Sequence, residues 1–247
     1  MIPLYFGTAG EQLFGGYDPP RVAGRRQGVI VAYPWGQEYI RSHQTLRHLA
    51  RLLANQGWHV LRFDYFGTGD SDGEGSDVTF SRCVETLRAA IDELRDMADI
   101  KEVALVGLRF GALVAAAATA SAQSVSRLVL WDPVDGKSYA DELLDGNAAH
   151  MSRDLEREGF PVTKSLLDGL QATGAQPYAS KLPRVLVVDA GPGSPVRPAV
   201  LAALKAGASE ATELPGRGPT VWTDHGDFGA VGMPVDTLRE ITEWLTT

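Results

Sequence analysis

Gly107-Leu108-Arg109-Phe110-Gly111 decides how this chain is read. Before it, Val103-Ala104-Leu105-Val106 is a buried-strand pattern; after it, Ala112-Leu113-Val114 and four alanines read as a helix. Strand, glycine-bracketed turn and helix are the setting of a G-x-S-x-G turn. Such a turn is so tight that flanking side chains would collide with it, hence the two glycines. It thrusts its central side chain above a helix N-terminus that favours negative charge. Here that side chain is Arg109, where the pattern has serine. A guanidinium carries donors only and cannot attack a carbonyl. A covalent acyl-serine at this position is therefore excluded.

Working outward, strands and helices alternate. Leu4-Tyr5-Phe6 and Gln12 to Tyr17 read as a hairpin around Gly7-Thr8-Ala9-Gly10, and Gly28 to Tyr33 is a continuous apolar strand. Leu46, Leu49, Ala50, Leu52 and Leu53 keep helical spacing between Tyr39 and Gln56. Trp58 to Phe63 is a strand, and a long amphipathic helix spans about Asp77 to Met97. Further strands are expected at Val125 to Trp131, Arg184 to Asp189 and, weakly, around Thr212-Glu213-Leu214. Helices are expected near Pro198 to Lys205 and from Pro234 to Trp244. Between about Asp135 and Ser180 the alternation fails; that stretch reads as polar and helical, without a clear strand. The expected organisation is an α/β core from residues 1–134 and 181–247, with 135–180 as a helical lid insertion. Alternation of this kind implies a mostly parallel central sheet covered by helices on both faces, here with an N-terminal antiparallel hairpin. The chemistry of such sheets gathers at the carboxyl ends of the strands.

Three segments in this order resemble the α/β-hydrolase superfamily. They are Tyr33-Pro34-Trp35-Gly36-Gln37 after a strand, Phe63-Asp64-Tyr65-Phe66-Gly67-Thr68-Gly69-Asp70-Ser71, and the turn at Arg109. The likeness is nearest to serine-aminopeptidase-like proteins, especially the bacterial exosortase-A-associated hydrolases. Pro34-Trp35-Gly36-Gln37-Glu38-Tyr39, Gly107-Leu108-Arg109 and Trp131-Asp132-Pro133 carry it. The resemblance implies an α/β-hydrolase fold, an oxyanion-side turn at Trp35-Gly36 with the Phe110 N–H, and a catalytic histidine in the loop before the last helix. His225 stands there and is the candidate general acid or base. His150, in the expected lid, is second choice; His43, His48 and His59 fall in a helix or at a strand start. The superfamily's acid would fall near Ser194, so Asp132 or Asp189 is left to orient His225. Asp132 also reads as a turn-forming Asp-Pro residue.

Arg109 admits two readings. It is an anion clamp for a carboxylate, phosphate or developing enolate, or it folds back onto an acid and plugs a dead site. Asp64 and Ser71 read as loop-fixing, and Cys83 as core. Trp35, Tyr39, Phe66 and Phe110 are expected to line an apolar pocket. No metal-ligand set is present, and Gly67-Thr68-Gly69 and Gly191-Pro192-Gly193 lack the spacing of a dinucleotide or phosphate loop, so no cofactor or metal is expected.

The bulk numbers bound the setting. A net charge of −8 without a dense Lys/Arg cluster argues against nucleic acid as a partner. No apolar run approaches the roughly 20 residues that span a bilayer, so no membrane partner is expected. Met1 to Gly10 lacks a basic region followed by an apolar stretch, and a single cysteine fits a reducing cytosol; a cytoplasmic protein is expected. Two functions follow. One is an enzyme of ester, thioester or carboxylate-bearing acyl substrates, small or carrier-bound, working by His-assisted water attack or by lyase or cyclase chemistry. The other is an inactive pseudo-hydrolase that binds a ligand or acts as a scaffold. A homodimer stays open in either case.

Overall fold

The computed structural model describes residues 1–23, 26–120, 122–144, 155–191, 196–220, 222–223 and 232–247. The chain opens with strands β1 (Ile2–Thr8) and β2 (Glu11–Asp18), an antiparallel hairpin turning at Ala9-Gly10. Then follow β3 (Gln27–Ala32), α1 (Gln37–Asn55), β4 (His59–Phe63), α2 (Phe80–Ala98), β5 (Glu102–Leu108), α3 (Phe110–Thr119) and β6 (Val125–Trp131). Next come α4 (Gly136–Leu144), a short hairpin of β7 (Leu155–Arg157) and β8 (Phe160–Val162), and α5 (Lys164–Thr173). The described chain ends with β9 (Leu182–Val188), α6 (Pro198–Gly207), β10 (Ala208–Leu214) and α7 (Val235–Thr246).

Eight strands form one sheet in the order β1-β2-β4-β3-β5-β6-β9-β10. The β1-β2-β4 edge is antiparallel and every pairing from β4 to β10 is parallel. Parallel strands are buried on both faces, so their side chains alternate between two cores. Ile30, Leu61, Leu105, Leu128 and Val185 face the layer of α2 and α3. Val29, Val60, Val106, Val129 and Leu186 face α1 and α7. α3 is apolar all round and buried except at Ala117, which is partly covered, as a central helix must be. α2 starts cleanly because Thr79 Oγ1 accepts from the Arg82 N–H at 3.1 Å.

The stretch 135–180 differs from its expected all-helical character, because it holds the β7-β8 hairpin. Its strands have three residues each, too few for alternation to register. Glu158 and Gly159 turn it with positive φ of 51° and 89°. The same stretch sends Tyr139, Leu166, Leu170 and Tyr178 into the main core. Among the described residues, no helix is long and apolar enough to cross a membrane.

Candidate active site

The parallel arrangement brings the turns after β3, β5, β6 and β9 to one edge of the sheet. At the turn after β5, Arg109 adopts φ 54° and ψ −118°, a conformation that costs a non-glycine residue on the order of 1–3 kcal/mol. The bracketing glycines are dictated by contact. A Cβ on Gly111 would lie 2.2 Å from the Ala32 carbonyl oxygen, and one on Gly107 would lie 2.4 Å from the Gly111 carbonyl oxygen. The elbow geometry is thus fully built around an arginine.

The guanidinium is buried and meets three carboxylates. Glu38 Oε1 accepts from Nε at 3.1 Å and from Nη2 at 2.9 Å. Nη2 also donates to Glu142 Oε2, while Nη1 faces Asp132 Oδ2 at 3.8 Å, too far for a hydrogen bond. Burial opposes the charge on Arg109, but Glu38 and Asp132 outweigh it and hold its pKa above the ordinary arginine value. Glu38 lies in the first turn of α1, where a helix N-terminus favours an anion. Burial nevertheless pushes its pKa up, against the opposing pull of Arg109. Its second oxygen, Oε2, is buried without a hydrogen-bond partner among the described residues.

Asp132 follows β6 with φ 45°. Its Oδ2 accepts from Trp222 Nε1 at 2.7 Å, and Trp222 packs edge-on against Trp131 at 5.0 Å between ring centroids. Burial raises the Asp132 pKa, against the pull of Arg109 and the Trp222 hydrogen bond. Asp189 Oδ1 accepts from the Gly216 N–H at 2.7 Å, just beyond β10, and its charge adds to the rise in the Asp132 pKa.

A cavity of about 500 Å³ opens over Arg109, within the range of small-molecule sites. Its lining includes Trp35, Glu38, Asp132 and Tyr139, together with the arginines Arg41, Arg157 and Arg197. Both first-turn N–H groups of α3, on Phe110 and Gly111, lack an intrahelical acceptor by construction. Among the described residues there is no cluster of three His, Cys, Asp or Glu side chains suited to a metal ion.

Of the expected site residues, Arg109, Asp132, Trp35 and Gly36 lie together at this edge. His225, His150 and Ser194 lie outside the described residues. The Phe110 ring does not line a pocket. It is fully buried, stacked on Tyr139 at 5.7 Å and edge-on to Tyr65 and Phe80. Only its N–H belongs to the site. Phe66 is also elsewhere, under the Arg82 guanidinium at 4.3 Å. Tyr39 lines a second, apolar cavity of about 340 Å³ behind the Trp35-Gly36 turn, and its hydroxyl donates to Asp64 Oδ1 at 3.1 Å. Asp64 and Ser71 tie their loop: Asp64 Oδ2 accepts from the Asp70 N–H and Ser71 Oγ donates to the Asp64 carbonyl. Cys83 is buried in α2. His59 Nδ1 is 2.6 Å from the Tyr17 hydroxyl, and His43 stacks on Tyr33. Glu38, Glu142, Arg157 and Arg197 were not expected. Glu38 alone carried a signal, as the acid in the first turn of the helix after the strand beside β5.

Residues 36–153 match the model of the serine aminopeptidase family S33. No curated protein matches the chain. Among solved structures, Est1E from Butyrivibrio proteoclasticus with ferulic acid bound superposes with a TM-score of 0.75 at 19% identity, covering 98% of this chain and 97% of Est1E. A putative hydrolase from Agrobacterium vitis gives 0.65 at 18% identity, covering 100% and 98%. Alpha/beta hydrolase domain-containing protein 10 from mouse gives 0.65 at 14% identity, covering 99% and 98%. At these identities the likeness is one of fold. Fold and family match point the same way: the chain has the α/β-hydrolase fold, and residues 36–153 of it match the serine aminopeptidase family model.

Proposed function

We propose that this protein is an enzyme acting on an acyl substrate (ester, thioester or carboxylate-bearing) without a serine nucleophile, and that Arg109 and Glu38 work as a pair. The observation that carries this reading is the strained elbow kept around Arg109, with its guanidinium paired to a buried glutamate at the floor of a cavity. A plugged, purposeless turn would have no reason to retain a backbone conformation that costs stability. In the hydrolytic form, Glu38 or His225 takes a proton from water. The oxygen of that water bonds to the acyl carbon, and the carbonyl oxygen becomes an oxyanion facing Arg109 Nη1 and the Phe110 N–H. Collapse breaks the bond to the alkoxide or thiolate, which leaves with the proton. The same donors would hold an enolate in a lyase or cyclase reaction.

A second reading has its own support. Three carboxylates around one guanidinium lock Arg109, which suits a ligand-binding protein without turnover. The test is a screen of ester, thioester and β-keto-acid substrates with wild type, Glu38→Gln and His225→Ala. The enzyme reading expects wild-type turnover on one class, and a loss of about 10²–10⁴-fold in the variant that lacks the working base. Wild-type rates equal to the uncatalysed rate on every class leave the binding reading standing.

A further inference from the structure

Glu142 sits near the end of α4 and places its two carboxylate oxygens on two different guanidiniums. Oε2 accepts from Arg109 Nη2 and Oε1 pairs with Arg197 Nη2. Arg109 does not depend on it for neutralisation, since Glu38 already accepts from two of its nitrogens and Asp132 faces the third. We propose that Arg109 and Arg197 form a fork for a ligand carboxylate, and that Glu142 fills this fork as an internal stand-in until such a ligand displaces it. This rests on reading the cavity as a ligand site, as above, but not on turnover.

Three observations carry the proposal. The first is exposure. The Glu142 side chain is 34% exposed, against 18% for Glu38 and 16% for Asp132, so it is the acid that reaches water most easily. Its pair with Arg197 faces solvent on both sides, and such pairs contribute little, so exchanging it costs little. The second is charge. The described lining of the cavity holds four arginines (Arg41, Arg109, Arg157, Arg197) and four acids (Glu38, Asp132, Glu142, Glu158). With Glu142 turned out to solvent, four cations face three anions, which is a deficit of one carboxylate. The third is anchorage. Arg157, from β7, donates to the main-chain carbonyl of Glu142. The side chain can therefore leave while α4 stays in place, and the space opened adjoins the cavity. A carboxylate ligand would then reproduce the contacts of the group it displaces, including charge-assisted hydrogen bonds from two forks. A neutral ligand would leave the fork one carboxylate short. The substrate or product is accordingly a carboxylic acid, its carboxylate pointing toward α6 and the rest of the molecule in the cavity.

Isothermal titration at constant ionic strength tests this, with sodium butanoate as probe and butanamide as its neutral isostere. Glu142→Ala is expected to bind butanoate at least tenfold more tightly than wild type, with or without detectable wild-type binding. Adding Arg197→Gln is expected to abolish that gain, and butanamide should bind to none of the proteins. Glu142→Gln, which conserves volume, decides the matter if the alanine variant does not fold. The proposal is overturned if neither Glu142 variant binds butanoate more tightly than wild type, if the gain survives Arg197→Gln, or if butanamide binds as well as butanoate. Because binding is the readout, these outcomes are independent of whether the substrate screen finds turnover.

Discussion

Glu38 Oε1 accepts from both Nε and Nη2 of Arg109, so one carboxylate oxygen fixes the guanidinium plane from the first turn of α1. The pair joins residues 71 apart in sequence, because β3, which leads to α1, lies beside β5, which leads to the elbow. Arg109 is therefore held from α1 across the sheet edge, through one oxygen of one carboxylate. Nε and Nη2 both donate to Glu38, Nη2 donates to Glu142 as well, and Nη1 faces Asp132 at 3.8 Å, beyond hydrogen-bond reach.

Removing the cation should expose what it neutralises. In Arg109→Ser, Glu38, Asp132 and Glu142 converge with no guanidinium between them. Deleting one partner of a buried ion pair costs about 3–5 kcal/mol, and a loss of this order is expected in urea unfolding at neutral pH. The sign of the pH dependence follows. Glu38 and Asp132 already have raised pKa values in the folded protein, and losing Arg109 raises them further. A raised folded pKa gives stability that is present below the unfolded carboxylate pKa and lost as pH rises through the folded one. The deficit of the variant relative to wild type should therefore shrink on acidification. A deficit independent of pH would contradict the electrostatic account of this cluster. No activity should appear in Arg109→Ser through the new hydroxyl alone unless a histidine base is in reach.

If Glu38 is the working base, the acidic limb of the rate profile should report it. The base must be ionised, and burial holds its pKa above the ordinary glutamate value. Activity should thus fall as pH drops through a pKa higher than that of a free glutamate. Glu38→Gln should remove that limb together with most of the rate. Persistence of the same limb in Glu38→Gln would assign it to another group, Asp132 or His225.

The elbow itself can be tested through its glycines. In Gly111→Ala the new Cβ would stand 2.2 Å from the Ala32 oxygen and 2.6 Å from the Tyr33 oxygen, both backbone atoms of the neighbouring strand end. Neither can swing away, so the helix start must shift. The cost expected is at or above the usual overpacking range of about 1–3 kcal/mol. A melting temperature equal to that of wild type would mean that α3 does not sit as closely on β3 as described.

The parts legible in sequence were those set by backbone contact and local period. The elbow is one: its two glycines answer to clashes inside a single turn and with the adjacent strand. The β5 strand and α3 helix are others, since both are apolar runs of clear length. Glu38 and Glu142 were not legible as partners of Arg109, because their pairing depends on β3 and β6, the strands that precede their helices, lying on either side of β5 rather than on spacing along the chain. Phe110 was misplaced for a geometric reason. The first residue of a helix after so sharp a turn directs its ring back beneath the helix, toward Tyr65 and Phe80, while only its N–H stays at the edge. The Asp132 signal was ambiguous: an Asp-Pro turn and a site acid share the same letters, and its positive φ of 45° emerges only in three dimensions.

The Trp222–Asp132 hydrogen bond links the segment after β10 to the site, three residues before His225 in sequence. Trp222 is 1% exposed and its indole N–H donates at 2.7 Å to a carboxylate whose pKa is already raised by burial. In Trp222→Phe, the ring can still pack against Trp131, but Asp132 loses a donor to its charged form. A hydrogen bond to a charged group contributes about 1.5–3 kcal/mol, and a destabilisation within that range is expected in chemical unfolding at neutral pH. Losing that donor also raises the Asp132 pKa further, so the deficit should diminish in acid, where Asp132 is protonated in both folded and unfolded chains. The comparison with Trp222→Leu separates the two contributions. Leucine should cost more than phenylalanine at every pH through lost packing, whereas the pH-dependent part should be the same for both. A pH-dependent part present for one substitution and absent for the other would show that Asp132 does not rely on this indole for its charge.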